Sequence, residues 1–459
     1  MAGRPLPGPR GISGIAAARR LLDDPAPEFD RLRDEFGPIY RLGSGPLRIA
    51  VVGDPEGIAE LFAMPNSTFR WNHRLNILEL FSGSQSLLVS DGDDHRRRRG
   101  AVMGGFARRR LNRWIPMIVD RTDAAIDEIL SVAADRPDDD PIDVYPFGRT
   151  MALGVVVEAL LGDRLANRIG EIAPLIERPQ AYLESPAIRQ IPHPFPGTRR
   201  AGVRADRRVL DGIVDDEICH LRTVTDGADG EPRRDVLASM VRSGELSDSE
   251  MRDQVVTLIG AGFDTTAAAF SWLLWRAVLA PGLWQRLAGE AADAFHDGDA
   301  STIDDGLLER LPLAAATVRE SLRLHPAGLA GVREAMIDIE VGGYRIPART
   351  IVAWSPYLSG RDPDVWVNPL AFDPDRFLSL TPEQRAVTDR LWVPFGAGTR
   401  NCIGFVLAQM ELTLFVARFA QRLDLRPVSS VVPAPFGMAV NRPRGGSPFV
   451  VSRTQCVPT

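Results

Sequence analysis

Cys402 carries the strongest chemical signal in this chain, because of what surrounds it. The stretch Phe395-Gly-Ala-Gly-Thr-Arg400-Asn-Cys402-Ile-Gly404 sets an aromatic, glycines, an arginine and a cysteine at fixed offsets. Apolar residues then recur at three- and four-residue spacing, from Phe405 through Met410 to Phe419, which predicts a helix over 403–422. A cysteine at that place meets the positive end of a helix dipole and free backbone N–H groups, and both favour the thiolate. Gly396 and Gly398 let the loop fold back, and Gly404 lets the backbone approach a flat partner. Such a sulfur could ligate a metal or attack an electron-poor centre. Cys219 and Cys456 have no comparable surroundings and read as small structural residues.

Three further constellations could do chemistry. Ala261-Gly-Phe-Asp264-Thr265-Thr266 interrupts an apolar helical pattern over about 254–279 with residues that suit helix interiors poorly. Either the glycine is merely tolerated, or the helix opens locally there. In the second case Thr265 could bond a carbonyl or donate to a bound group, and Asp264 could link it to bulk protons. Glu320 and Arg323 share a helix face at i,i+3. Alone this reads as a surface pair, but Leu313, Ala314, Val318 and Leu322 surround it, and a buried pair needs a third partner. His95 and Arg99, at i,i+4 in Asp91-Gly-Asp-Asp-His-Arg-Arg-Arg-Arg99, could start a solvated basic helix or clamp carboxylates.

The elements that must position these residues are mostly helices. The clearest span 125–133, 254–279 and 311–324. Strand signals are few: 39–42 with 47–52, a hairpin over 337–346 turning at Gly342-Gly343, 350–354, and 448–452. Loops rich in Gly, Pro and Asp are expected at 135–141, 225–233 and 296–305. Pro192-His-Pro-Phe-Pro196 reads as a stiff connector or a pocket entrance. A proline- and glycine-rich segment over 1–20 precedes the main body, 21–459, which is expected to be one mainly α domain with a small β region.

The 459 residues carry a net charge of -6, so no global basic footprint for nucleic acid exists. Three cysteines without pairing motifs fit a reducing, cytoplasmic compartment. No signal peptide or membrane anchor is expected, because the N-terminus lacks an apolar core and the best apolar stretch, 152–161, is too short.

The element F-x-x-G-x-R-x-C-x-G resembles the haem-binding loop of the cytochromes P450, whose cysteine thiolate is the axial iron ligand. The resemblance extends over nearly the whole chain and implies the cytochrome P450 fold in one domain. It implies haem b held by Cys402, with Phe395, Arg400 and Gly404 shaping the loop. By the same resemblance His95, Arg99, Arg333 and Arg400 hold the propionates. Asp264 and Thr265 match the family's oxygen-activating acid and threonine. Glu320 and Arg323 match its E-x-x-R pair, with Arg376 in Phe372-Asp-Pro-Asp-Arg-Phe377 as the third member; Asp375 stands where Glu is commoner. The function implied is a monooxygenase that puts one atom of O2 into an apolar small molecule. Its two electrons would come from a ferredoxin or flavodoxin and a reductase, with the chain a monomer. Arg96 to Arg98, with Arg108 to Arg110, would form an exposed basic face for an acidic donor. Peroxide-driven turnover, a redox-neutral isomerase or dehydratase, and a haem sensor are the alternatives. Phe81, Leu87, Leu88, Val256, Ile259, Leu329 and Met438 are the expected pocket lining.

Overall fold

The computed structural model describes residues 3–43, 48–73, 76, 78–185, 197–223, 233, 235–295, 303–437 and 439–454. The Pro192–Pro196 segment, Met438, Cys456, and most of the expected loops at 225–233 and 296–305 lie outside the described residues.

A 32-residue helix, Asp248–Leu279, forms the axis of the fold. Ser247 and Glu250 close its N-terminus as a capping box, each satisfying a backbone N–H of the other. It begins earlier than the apolar pattern suggested because this polar first turn is capped rather than frayed. It packs most extensively on Tyr145–Leu161, and also on Phe405–Arg422 and Pro312–Leu324. At one end Phe270 meets Phe415 and Phe419 edge-on at 5.5 and 4.9 Å. At the other end Val156 and Leu160 pack with Val256, Ile259 and Phe263. Gly260 is required there, since a Cβ would sit 2.4 Å from Phe81.

The expected strands form and join distant parts of the chain. Ile39–Leu42 pairs antiparallel with Ile49–Val52, which runs parallel to Ile351–Trp354. Gly331–Ala335 and Phe69–Arg70 complete this five-stranded sheet. The hairpin Ile339–Val341/Tyr344–Ile346 turns at Gly342 (φ 54°) and Gly343 (φ 74°), both in the left-handed region that glycine tolerates. Within the N-terminal segment, Arg4–Pro5 pairs with this hairpin and Gly11–Asp23 is helical. Pro448–Arg453 lies between Leu423–Pro427 and Ile142–Asp143. No helix among the described residues is long and apolar enough to cross a membrane.

The Glu320–Arg323 pair is fully buried. Arg323 donates from Nε to Glu320 Oε2 (2.7 Å) and from Nη2 to Oε1 (2.8 Å). Its remaining donors reach the carbonyls of Gly360, Pro369 (2.7 Å) and Ala371 (3.0 Å). Arg376 Nε and the Asp373 N–H both donate to Glu320 Oε1, at 3.0 and 2.8 Å. Every charge has its partners, which is the condition for burying an ion pair without large cost. Asp375 takes no part; it pairs with Arg286 at 2.7 Å on the surface. Glu320→Ala should therefore cost about 3–5 kcal/mol, because Arg323 would be left as an uncompensated buried cation. Urea denaturation of wild type and variant measures this.

Candidate functional site

A cavity of about 430 Å³ opens between the long helix, the loop 394–404 and the start of the helix Phe405–Arg422. The loop positions its sulfur by backbone geometry. Gly396 and Gly398 both take φ 68°, and the Cys402 N–H donates to the Phe395 carbonyl at 2.8 Å. The helix starts at Phe405 rather than 403, so Gly404 is its N-cap residue and the Gly404 N–H is left free to donate to the sulfur. Cys402 is open to the cavity but walled in by protein, and burial pushes its pKa up. The Gly404 N–H and Arg99 pull the other way and do not prevail. The dipole argument alone thus overestimates the thiolate; a cation bound at the sulfur would reverse the balance. A Cβ on Gly404 would meet nothing within 4 Å, which leaves a face against which a flat group can lie.

Of the four groups expected to hold carboxylates, three line this cavity and Arg333 does not. His95 and Arg99, one turn apart on the helix Gly92–Met103, both line it, as does Arg400. His95 is buried, and its pKa is lowered to about 3 by desolvation and by Arg400 and Arg99. Arg99 donates to Asn401 Oδ1 at 2.6 Å. Arg400 stacks on Trp71 and donates to Ser90 O (2.6 Å) and Asp91 Oδ1 (3.3 Å), while its Nε has no partner. Arg333 comes from the strand Gly331–Ala335 and is 4 % exposed. It stacks on Phe69 at 4.1 Å, its Nε and Nη2 have no partner, and burial pushes its pKa down to about 10. A buried guanidinium with free donors and no carboxylate is costly unless an anion arrives. Among the described residues no group of three or more His, Cys, Asp or Glu side chains could hold a metal ion. A single sulfur, a flat open face and orphaned cations fit a metal that brings its own planar ligands and carboxylates, which is haem.

The opposite wall is the long helix. Thr257, Leu258, Ala261, Gly262, Thr265 and Thr266 line the cavity. The expected local opening of this helix is absent: Asp248–Leu279 is continuous. The Thr265 hydroxyl instead donates to the Ala261 carbonyl one turn back (2.6 Å). Asp264 is buried and points away from the cavity wall, into a ring of donors that sequence reasoning missed. Tyr145 Oη (3.1 Å) and Arg149 Nε (3.0 Å) donate to Oδ1, and Gln180 Nε2 (2.5 Å) donates to Oδ2. Arg442 stands 3.9 Å from Oδ2. Arg149 continues to the half-exposed Glu177 at 3.4 Å. The i,i+4 spacing of Tyr145 and Arg149 was the only local signal, and it names no partner.

Other expectations change. Arg96, Arg97 and Arg98 do not form a free basic face. Arg96 pairs with Asp93, Arg97 with Glu250 and Asp94, and Arg98 is buried against Glu250 (2.9 Å) and Ser90 Oγ (2.6 Å). Glu250, the capping residue of the long helix, recruits them; its pKa is pulled down to about 2, chiefly by Arg97. Arg110 donates to Ser239 Oγ at 3.2 Å, and the side chains at 108 and 109 lie outside the described residues. Leu87 and Leu88 line the cavity as expected. Val256 and Ile259 pack into the core behind the helix, because the cavity face is the one carrying Thr257, Leu258 and Ala261. Phe81 covers Gly260, and Leu329 is buried with Tyr357 and Leu358. Cys219 is exposed rather than packed. Glu411, buried on the wall beside Thr266, was also missed.

Comparison with known proteins agrees with this geometry. The family model described as Cytochrome P450 matches residues 5–447. A Mycobacterium tuberculosis (strain ATCC 25618 / H37Rv) protein named as cytochrome P450 139 is 30% identical over 394 residues, covering 85% of this chain and 88% of the relative. Cyclooctatin synthase of Streptomyces melanosporofaciens is 32% identical over 352 residues, covering 74% of this chain and 73% of the relative. The retinoic acid bound cyanobacterial CYP120A1 superposes with a TM-score of 0.84 at 22% identity, covering 99% of this chain and all of that one, so it shares the fold. Fold, cavity and sequence agree: the chain belongs to the cytochrome P450 family of haem-thiolate monooxygenases.

Proposed function

We propose that this chain inserts one atom of O2 into an uncharged, apolar organic substrate, by hydroxylation or epoxidation, with haem b that the Cys402 sulfur would hold. The observation that carries the reading is one cavity with Cys402 on one wall and Thr265 on the facing wall. His95, Arg99, Arg333 and Arg400 would take the propionates, and Phe395 and Gly404 would lie against the macrocycle. When bound, haem supplies oxygen activation, and thiolate ligation favours O–O cleavage. The chain's own work is to hold the sulfur, exclude water and move protons. Thr265 presents a hydroxyl to the cavity. Asp264 holds the inner end of a polar line that runs through Arg149 to Glu177 at the surface. Leu87, Leu88, Leu258, Ala261 and Ala327 offer a substrate only apolar contacts.

Two electrons per turnover are proposed to come from a ferredoxin or flavodoxin with its reductase, in the cytoplasm, to a monomer. The name cyclooctatin synthase supports a biosynthetic role in secondary metabolism for this chain too. Peroxide-driven turnover would have no use for the Asp264–Arg149–Glu177 line.

The absorption spectrum of the reduced, carbon-monoxide-bound protein tests the class: a strongly red-shifted Soret band is expected, and its absence in folded, haem-loaded protein would reject thiolate ligation. Asp264→Asn should lower turnover about 10²-fold, as loss of a proton-transfer group does. Thr265→Ala should divert consumed O2 to peroxide at nearly unchanged O2 uptake, whereas an isomerase or sensor would be indifferent. Arg333→Leu should leave the apoprotein equally or more stable, since it removes an unpaired buried charge, yet speed haem loss to apomyoglobin.

A further inference from the structure

Residues 83–90 form no helix or strand, yet they carry Leu87 and Leu88 to the cavity wall. An irregular buried segment keeps its shape where its backbone polar groups have fixed partners. Gln254 supplies them from the long helix. It is fully buried, behind the residues that line the cavity. Its Oε1 accepts from the Leu87 N–H at 2.9 Å, and its Nε2 donates to the Gln85 carbonyl at 2.8 Å. The same Nε2 donates to the Glu250 carbonyl one turn back at 3.0 Å, which holds the amide in place. This pattern uses both donors and the acceptor of one carboxamide. Neighbours on the helix add to it. Asp253 accepts from the Gln85 N–H (2.9 Å), and Thr257 donates to Ser86 Oγ (2.7 Å), which accepts in turn from the Leu88 N–H (3.1 Å). From the sulfur-bearing loop, Arg400 donates to the Leu87 carbonyl at 3.3 Å and to the Ser90 carbonyl at 2.6 Å. The segment is thus held from both walls of the cavity.

We propose that Gln254 is a positioning residue that sets the size limit of the substrate cavity without touching its contents, by fixing Leu87 and Leu88 as one wall. This rests on the monooxygenase reading above. Apolar contact is non-directional, so two leucines on a loose segment would yield to any apolar guest. On a fixed backbone they resist one that is too long. Without the amide, the Leu87 N–H and the Gln85 carbonyl would lose their buried partners, and the segment would leave its place to find new ones. The substrates selected are apolar molecules short enough to end at this wall, and longer homologues are rejected by the wall rather than by a lack of attraction.

Hydrogen exchange and ligand titration of the haem-loaded protein test this together. Gln254→Met keeps the length of the side chain and removes its polar atoms. Ser86→Ala is the milder variant and takes the Leu88 partner away from the segment itself. The Leu87 amide in the first and the Leu88 amide in the second should exchange on the order of tenfold faster than in wild type. Unchanged exchange at these amides overturns the proposal. A series of 1-alkylimidazoles from methyl to dodecyl probes the wall, since the ring nitrogen ligates haem iron and the chain must fit the cavity. Wild-type affinity should rise with chain length and then fall about tenfold beyond an optimum, as overpacking against a fixed wall requires. In both variants that fall should flatten while the affinity for 1-methylimidazole stays the same. A wild-type series without an optimum, or the same optimum and fall in both variants, overturns the proposal. Equal weakening at every chain length marks a merely structural role and overturns it as well. The carbon-monoxide spectrum of the same preparations reports separately on the haem-thiolate reading, because amide exchange at Leu87 does not depend on it.

Discussion

Most of this structure is arranged around a slot whose charged and ligating groups need partners that the rest of the chain does not supply. Arg333 stands with two unpartnered nitrogens among aromatic rings, His95 is held neutral between two arginines, and the sulfur of Cys402 is pushed toward its thiol form. Each of these is unfavourable by itself. One ligand resolves all three together: a metal at the sulfur and carboxylates at the cations. Filling the slot therefore contributes to the stability of the folded chain as well as to its chemistry.

Holding such a slot open requires rigid walls, and the two walls are secured differently. The sulfur-bearing wall is a loop, secured through the backbone by two left-handed glycines and the Cys402–Phe395 bond, and continued by a helix packed on Phe270. Behind it, Glu320 and Arg323 fasten a helix to the loop carrying Gly360, Pro369 and Ala371. Gly360 is the only residue that fits there, since a Cβ would lie 2.2 Å from the Arg323 carbonyl oxygen. The facing wall is a single continuous helix. Its N-terminal cap doubles as the anchor for Arg97 and Arg98, so the helix that carries His95 and Arg99 is fixed to the helix that carries Thr265. Arg97 and Arg98 of the basic run are thus a joint between two walls of the cavity.

Much of this was legible in the sequence wherever local spacing determines the outcome. Cys402 in its glycine loop, the Glu320–Arg323 pair with Arg376, the His95–Arg99 face and the Gly342-Gly343 turn all follow from offsets of a few residues. What was not legible depends on contacts between distant segments. Arg97 and Arg98 look unpartnered until Glu250, about 150 positions away, is folded onto them. Val256 and Ile259 look like pocket lining until the rotation of the helix is fixed by packing on Val156 and Leu160. Tyr145, Arg149 and Gln180 carry no signature, because an acid such as Asp264 accepts any donors the tertiary structure delivers. The helix that was expected to open stays closed for a local reason, the Thr265 hydroxyl bonding the Ala261 carbonyl, but nothing in the sequence chooses between that bond and an open turn.

The contrast between Asp264 and Glu411 shows why residue type alone does not assign a role. Both are buried acids close to neighbouring threonines on one helix. Asp264 accepts from a tyrosine, an arginine and a glutamine, and its arginine reaches a half-exposed glutamate, so its charge is shared outward. Glu411 has one hydroxyl and no cation, so its charge has nowhere to go. Donors around a carboxylate favour its charged form, and burial without them favours the neutral one. The consecutive threonines both line the cavity, and the second of them lies beside Glu411.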